Sequence, residues 1–219
     1  MANLPTPAPT DPLPIVSDWL AEITASGRLK NPNAMALATS NRAGLPSVRM
    51  VLLKEIAPAG YAVFYSNYLS RKGLELEENA RAAALLYWEP LARQVRFEGP
   101  VVKSPAGQSD AYFATRPTQS QLNAWSSAQS RPLESPAELD RAAARAAREL
   151  GIAPDGKSAS RPVPRPAHWG GYRLWFDTLE LWAEGENRFH ERLLYRRNLE
   201  RADAFSYRPG AWSVQRLQP

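Results

Sequence analysis

The sequence predicts a mainly β protein with added helices (α+β), in which short antiparallel strands form a barrel and the helices pack on it. Apolar runs with the period of a β-strand recur along the chain, and turn sequences separate several of them, such as "NRAG" at 41–44 and "APAG" at 57–60. Short strands at such close spacing are typical of an antiparallel barrel or sandwich. No internal repeat is evident, so one small barrel with helices is the simplest architecture.

The chain order of the elements follows from local patterns. Residues 1–11 are rich in Pro and Thr and are predicted to be a disordered tail, and 12–219 are predicted to be a single domain. A first helix is expected from the helical spacing of Ile15, Trp19 and Ile23, and it stops near Gly27. The strand-like stretches are 34–40, 47–55, 61–67, 82–88, 93–103, 170–185, 187–197 and 211–217.

Further helices are predicted where capping residues precede helical patterns. The predicted ranges are 70–79, 104–116, 118–130 and 135–151. The last is the clearest, because Ser135 can cap it, Pro136 suits its first position and Gly151 lies beyond its end. Residues 152–168 form a Pro-rich loop.

Composition excludes several classes of protein. The chain has no cysteine, which excludes disulfides and thiol nucleophiles, and only two histidines, His168 and His190, which argues against a metal site made of protein ligands. No signal peptide or apolar run of membrane-spanning length is visible, so a cytoplasmic protein without a membrane partner is expected. The formal net charge of +5 is scattered among acids, so no nucleic-acid partner is expected.

Donor-rich segments lie beside apolar runs. Arg49 and Lys54 flank an apolar strand, and the cations Arg71 and Lys72 stand at a helix start, where they oppose the helix dipole unless an anion binds there. Two more sets share a predicted face: Tyr112, Arg116 and Ser120 at helical spacing, and Arg188, His190 and Arg192 at strand spacing.

Each of these sets alone is typical of a solvated face, but together they offer many donors and few matching acids. Such sets suit phosphate groups, because Arg binds their oxygens in pairs and Lys binds them as a point charge. Two clusters predict two phosphorylated ligands, or one ligand with a diphosphate. No Gly-rich phosphate loop is present, which excludes a P-loop or Rossmann site.

Six motifs in order resemble those of the pyridoxine/pyridoxamine 5′-phosphate oxidase family, flavoenzymes with an FMN-binding antiparallel split β-barrel. They are "RMVLLK", "FYSNYLSRKGLEL", "RQVRFEG", "YFATRPTQSQLNAWSSAQS", "PRPAHWGGYRL" and "NRFHERLLY", with "WSVQRLQP" at the end. The resemblance implies FMN as cofactor, a homodimer with FMN at the subunit interface, and no metal. It also implies oxidation of a phosphorylated pyridine, pyridoxamine or pyridoxine 5′-phosphate, to pyridoxal 5′-phosphate, with O2 reduced to H2O2.

The resemblance also assigns residues. It implies that FMN is bound by Arg49, Met50, Val51, Leu52, Leu53, Lys54, Tyr65, Ser66, Arg71, Lys72, Gln94, Gln129, Ser130, Trp182 and Arg192. Among them, Gln129 and Ser130 are expected to reach FMN across the interface, and the polar face of 93–103 is expected to turn its Gln94 toward FMN. The implied substrate-binding residues are Lys54, Tyr112, Arg116, Ser120, Arg188 and His190. Of these, Arg188 and His190 are the implied catalytic residues over the pyridine ring.

Two departures from the family pattern leave the substrate open. The family's "FWQG" is "LWAEG" here (181–185), and its "RLHDR" is "RFHER", which places Phe189 between the two ring-contacting residues. Two alternatives therefore stand beside the expected activity. One is an FMN oxidase of another aromatic intermediate of the phenazine-precursor type, and the other is a flavin- or PLP-binding protein of low turnover.

Overall fold

The computed structural model describes residues 4–153 and 158–219. The helices are α1 Leu13–Ser26, α2 Arg71–Glu78, α3 Ala106–Ala114, α4 Thr118–Ser126 and α5 Pro136–Leu150. The strands are β1 Ala34–Ser40, β2 Pro46–Leu52, β3 Glu55–Ala57, β4 Tyr61–Asn67, β5 Arg81–Trp88, β6 Arg93–Lys103, β7 Trp169–Trp175, β8 Thr178–Ala183, β9 Glu191–Arg196, β10 Leu199–Arg201, β11 Tyr207–Pro209 and β12 Ser213–Leu217.

Ten strands form one antiparallel sheet that curls into a half-barrel. Its main path is β12-β9-β8-β6-β5-β1-β2, and β7, β4 and β3 branch from β6. The branch is possible because β6 changes partner along its length, pairing β8 over 93–98 and β7 over 101–103. Gly99 lies between the two parts with φ of 155°, and a Cβ there would lie 1.9 Å from the Trp175 carbonyl oxygen. The predicted antiparallel split barrel with helices is confirmed.

The main core lies inside the curled sheet, where α1 packs against it. Val16 and Ile23 of α1 are fully buried with Leu37 of β1 and Phe97 of β6. A second apolar cluster joins α3, α4 and α5 to the start of β7 and includes Trp169. Burial of such side chains contributes about 1.5–3 kcal/mol each, so the two clusters fix the helices on the sheet. None of the described helices is long and apolar enough to span a bilayer.

The N-terminal segment differs from the predicted disorder. Leu4 is 3% exposed and belongs to the main core. Its backbone N–H donates to the Glu191 carboxylate at 2.8 Å, and the Arg216 guanidinium donates to the Pro5 carbonyl at 3.0 Å. The composition of 1–11 could not reveal these contacts, which join the two ends of the chain. Residues 1–3 of the predicted tail lie outside the described residues.

The predicted helix starts are partly correct. Ser70 caps α2 by accepting from the Gly73 N–H, and Gly151 ends α5 in the left-handed conformation, both as expected. At α3 the cap position is Pro105 instead of Ser104, and the Ser135 side chain makes no capping hydrogen bond to α5. The Pro-rich loop is described except for 154–157, and the β10–β11 hairpin was not predicted.

Candidate active site

A cavity of about 590 Å³ opens between β2, β4, α2 and the α3–α4 region. Most of the expected ligand-binding residues line it: Met50, Val51, Leu52, Lys54, Tyr65, Ser66, Lys72, Tyr112, Arg116, Ser120 and Gln129. They come from segments that are separated by up to about eighty positions in the chain. Sequence reasoning missed other lining residues, among them Trp169, Asn67 and Asn123.

Lys72 presents a buried ammonium group to this cavity. Because it follows the Ser70 cap of α2, its side chain turns back toward β4 and remains only 8% exposed. Its Nζ donates to Ser66 Oγ, Ser70 Oγ and Gln129 Oε1, each at 3.0 Å. Burial, and next the charge of Arg49, lower the pKa of Lys72 to about 8. Within the described part of the chain, no carboxylate lies at ion-pair distance from it.

Arg49 and Arg71 lie beside this cavity and share one carboxylate, that of Glu75. Arg49 Nη2 lies 3.2 Å from Glu75 Oε2, and Arg71 Nε lies 2.9 Å from Glu75 Oε1. Thr39 and Ser47 also donate to Glu75, at 2.5 and 2.6 Å. Sequence reasoning missed Glu75, although its i,i+4 spacing from Arg71 was a visible signal.

Arg116 is a second cation of the cavity, half-buried on its α3–α4 side. Its guanidinium lies over the Trp169 ring at 4.5 Å, and its Nη1 is buried without a hydrogen-bond partner among the described residues. Burial lowers the pKa of Arg116 from its ordinary value. Tyr112 and Ser120 line the same cavity, but the single helical face predicted for the three residues is wrong. Pro117 separates α3 from α4, because a proline disfavours helical backbone at the residue before it.

Three nearly parallel, stacked aromatic rings form an aromatic wall of the cavity. Tyr65 stacks on Tyr112 with centroids 3.9 Å apart and on Trp169 at 5.4 Å, with interplanar angles of 15° and 11°. Across the β4–β7 pair, Gly171 is the register partner of Tyr65, and a Cβ there would lie 3.0 Å from the Tyr65 ring. Burial is the main cause that raises the pKa of Tyr65 to about 12, so its hydroxyl stays protonated.

Gln129 reaches the cavity of its own chain. Its Oε1 accepts from Lys72 Nζ at 3.0 Å and from Ser66 Oγ at 3.4 Å. Gln129 thus contacts Lys72 and Ser66 of its own chain, and its expected contact with FMN across a subunit interface stays a prediction. The chain after α4 folds back toward β4, where Asn67 Nδ2 donates to the Ser127 carbonyl. Ser130 follows in a left-handed turn with φ of 70° and does not line the cavity.

A second group of expected residues lies on β6, β8 and β9. Gln94 pairs with Trp182 in register, and Trp182 pairs with Arg192, so the three side chains lie side by side across neighbouring strands. The polar face of β6 continues into an ion-pair network. Glu180 accepts from Arg96 at 2.7 Å and from Arg192 at 2.8 Å.

Arg188 and His190 belong to this second group, but not as one face of a strand. Arg188 ends a short 3₁₀ turn, and His190 precedes β9. Asn187 and Arg188 both have positive φ, 52° and 67°, so the chain turns here and strand alternation does not apply. Arg188 and His190 line a separate cavity of about 490 Å³, and the Trp182 and His190 rings lie 4.7 Å apart.

The expected site residues thus fall into two groups. Most members of the first line the main cavity, whereas Arg188 and His190 of the second line a different cavity of the same chain. β2 ends the sheet path on one side, and β9 is next to its other end. Of the remaining expected residues, Leu53 is buried in the main core, and its N–H donates to the Asn33 carbonyl.

Comparison with known proteins identifies the family. Residues 22–149 match the family model described as pyridoxamine 5′-phosphate oxidase. The chain belongs to the pyridoxamine 5′-phosphate oxidase family. Residues 169–219 match the C-terminal dimerisation region of pyridoxine 5′-phosphate oxidase, which contains β7 to β12. Members of this family are oxidoreductases, and this match confirms the resemblance on which the site residues were assigned.

Relatives are similar over almost the whole chain. The pyridoxine/pyridoxamine 5′-phosphate oxidase of Rubrobacter xylanophilus is 47% identical over 97% of this chain and 88% of its own length. That of Cereibacter sphaeroides is 44% identical over 95% of both chains.

Two solved structures share the fold. PhzG from Burkholderia lata 383, in complex with tetrahydrophenazine-1-carboxylic acid, is 31% identical with a TM-score of 0.81, over 96% of this chain and 94% of its own. A pyridoxamine 5′-phosphate oxidase-related, FMN-binding protein from Nostoc punctiforme has a TM-score of 0.68 at 15% identity, over 95% and 98% of the two chains. At that identity the second likeness concerns the fold alone.

Proposed function

We propose that this protein is an FMN-dependent oxidase that converts pyridoxamine or pyridoxine 5′-phosphate to pyridoxal 5′-phosphate. For the amine, substrate, O2 and water give the aldehyde, ammonia and H2O2. One observation carries the proposal: a single cavity is lined by two cations, the buried Lys72 and the half-buried Arg116, that have no carboxylate partner among the described residues. A buried cation without a counter-ion is costly, so each favours an anionic ligand.

The Lys72 side of the cavity suits the phosphate of FMN, the cofactor that membership of this family implies. Lys72 already donates to three neutral oxygens, and Arg49 and Arg71 lie beside it, so the donor set matches a compact monophosphate. Tyr65 and Ser66 follow on β4, where Tyr65 contributes a flat ring. FMN, when bound, supplies the hydride acceptor and the group that O2 reoxidises.

The Arg116 side suits the phosphate of the substrate. Arg116 Nη1 lacks a partner within the described chain, and Lys54 lies over the Tyr112 ring at 5.7 Å. Ser120 lines the same side of the cavity. These groups would hold the substrate by its phosphate, so its ring is confined near the aromatic wall and water is excluded from that face.

A dimer would complete the site. Arg188 and His190 line a different cavity of the same chain, within the segment that matches the dimerisation region. We infer that a second copy brings them over the substrate ring, where the Arg188 guanidinium and the His190 imidazole orient the reacting carbon. Neither is required to remove a proton for hydride transfer, so orientation is their assigned role.

A second candidate function has a specific observation in its favour. The fold is similar to that of PhzG, whose structure contains a tricyclic carboxylic acid. Phe189 is exposed between the two ring-contacting residues, which would suit a larger aromatic ligand. The complete set of Lys54, Tyr112, Arg116 and Ser120 around one cavity favours a phosphorylated substrate instead.

The test is turnover by the FMN-loaded protein. We expect pyridoxamine 5′-phosphate to give the aldehyde absorbance and equal H2O2, and Arg116→Ala to raise KM about 10- to 100-fold with bound FMN retained. The matched control is Arg208→Ala, since Arg208 is an exposed arginine in the β10–β11 hairpin. Turnover of tetrahydrophenazine-1-carboxylic acid but not of the phosphorylated amine would overturn the proposal.

A further inference from the structure

One buried carboxylate joins the arginines that are expected at the FMN phosphate. The Glu75 side chain of α2 is 7% exposed and contacts Thr39 of β1 and Ser47 of β2. It accepts from four side chains: Thr39, Ser47, Arg49 and Arg71. Strand register brings the first two together, because Thr39 is the partner of Ser47 in the β1–β2 pair.

These contacts hold the Arg49 guanidinium through four hydrogen bonds and the Arg71 guanidinium through one. Arg49 Nη1 donates to the Leu37 carbonyl at 3.2 Å and to Thr39 Oγ1 at 2.5 Å, while its Nη2 donates to Ser47 and Glu75. Arg71 uses its Nε for Glu75. No described residue accepts a hydrogen bond from the two terminal nitrogens of Arg71, so they are free to bind an anion.

The charge state of Glu75 agrees with this geometry. Burial works to raise its pKa, but the hydrogen bonds from Ser47, Thr39, Arg71 and Arg49 outweigh burial and lower the pKa to about 2. The carboxylate therefore stays ionised and offsets part of the repulsion among Arg49, Arg71 and Lys72. A cluster of three cations without it would favour splayed side chains.

We propose that Glu75 is a positioning residue of the FMN phosphate site, which holds Arg49 and Arg71 in place before the phosphate binds. This rests on the proposed function, in which these arginines contact FMN. Two effects of Glu75 oppose each other: its negative charge repels a phosphate, and its hydrogen bonds preorganise the donors. Preorganisation wins here, because four donors already surround the carboxylate and reduce its field at the phosphate position.

The sign of the effect on FMN affinity tests the proposal. The full-length protein, stripped of flavin, is titrated with FMN and with riboflavin, which lacks the phosphate, and quenching of flavin fluorescence gives Kd. For Glu75→Gln we expect FMN to bind about 10- to 50-fold more weakly and riboflavin to change less than twofold. The matched control is Glu77→Gln on the same helix, whose exposed carboxylate pairs with Lys103 and which should bind FMN as the wild type does. Unchanged or tighter FMN binding by Glu75→Gln would overturn the proposal.

If Glu75→Gln does not melt cooperatively, a second variant is titrated with FMN in its place. Ser47→Ala removes one hydroxyl from the network and keeps every charge, so an FMN affinity at least about threefold weaker would support the proposal, and an unchanged affinity would overturn it. Failure of the proposed function is distinguishable. If the wild-type protein binds FMN no better than riboflavin, the proposed phosphate site is wrong, and so is the role of Glu75 in it.

Discussion

At the scale of single residues, the site is organised by where charge is buried. Lys72 is buried and faces three neutral oxygens, which lowers its pKa, and a bound anion would favour its charged form. Glu75 is surrounded by donors, which lower its pKa and keep it ionised. The folded-state pKa of Lys72, about 8, is below its unfolded value of about 10.5. Its burial therefore costs stability below pH 8, and that cost fades as pH rises toward 10.5.

FMN affinity should depend on pH through Lys72. A bound phosphate favours the charged ammonium, so binding takes up a proton above pH 8, and Kd should rise by up to about tenfold per pH unit there. Fluorescence titrations between pH 7 and 9.5 measure this, with riboflavin and Lys72→Met as flat controls. An FMN profile that is equally flat would show that Lys72 does not contact the phosphate.

At the scale of elements, two turns decide where the functional side chains lie. Pro117 divides the predicted helical face between α3 and α4, yet Tyr112 and Ser120 still line one cavity. The turn before β9 has a tighter constraint, since a Cβ on Gly185 would lie 1.8 Å from the Phe189 carbonyl oxygen. Successive positive φ values then place Arg188 outside the sheet ladder. Such strained backbone costs about 1–3 kcal/mol per residue and is common at functional sites.

Arg188→Ala tests whether this turn serves catalysis. We expect kcat/KM for pyridoxamine 5′-phosphate to fall at least about 100-fold, because orientation of the reacting carbon is lost. FMN content, dimer mass and Tm should stay close to those of the wild type, since the described structure shows no ion pair from Arg188. Near-normal turnover would mean that the turn is only structural.

At the scale of the whole molecule, the edge strand β2 carries a stripe of exposed apolar side chains. Val48 and Met50 of β2 are 68% and 63% exposed, and Leu52 continues the same face. β2 ends the sheet path, and the described residues leave these side chains exposed. The stripe lies outside residues 169–219, which match the dimerisation region, and we expect a second copy of the chain to cover both.

Val48→Asp should weaken the proposed dimer. Light scattering of the wild type at micromolar concentration should give about twice the 24.3 kDa chain mass. A charge buried in an apolar interface is costly, so the variant should shift toward the monomer. Its activity should fall in proportion to the loss of dimer. Leu133→Asp, at another exposed apolar residue, is the control. A wild-type monomer that turns over substrate would contradict the composite site.

The sequence by itself determined the antiparallel barrel, the family and most residues of the main cavity. Strand alternation, turn residues and the Ser70 cap act over a few positions, so they can be read without the fold, and the order of the motifs identified the donors. The cap predicted at Ser104 is wrong, because a contact with a distant strand decides the position of this residue. That residue lies where β6 gives way to α3, and its N–H donates to the Gly171 carbonyl of β7.

Only the tertiary structure decided which of these donors share a cavity and what holds them. Glu75 meets Thr39 and Ser47 through the register of β1 with β2, and Gln129 reaches Lys72 only because the chain after α4 folds back on β4. The Arg116 guanidinium likewise lies over the ring of Trp169, which is distant in the sequence. Each of these contacts joins residues far apart in the chain, and the free energy that selects them comes from burial and strand pairing, which no local pattern encodes.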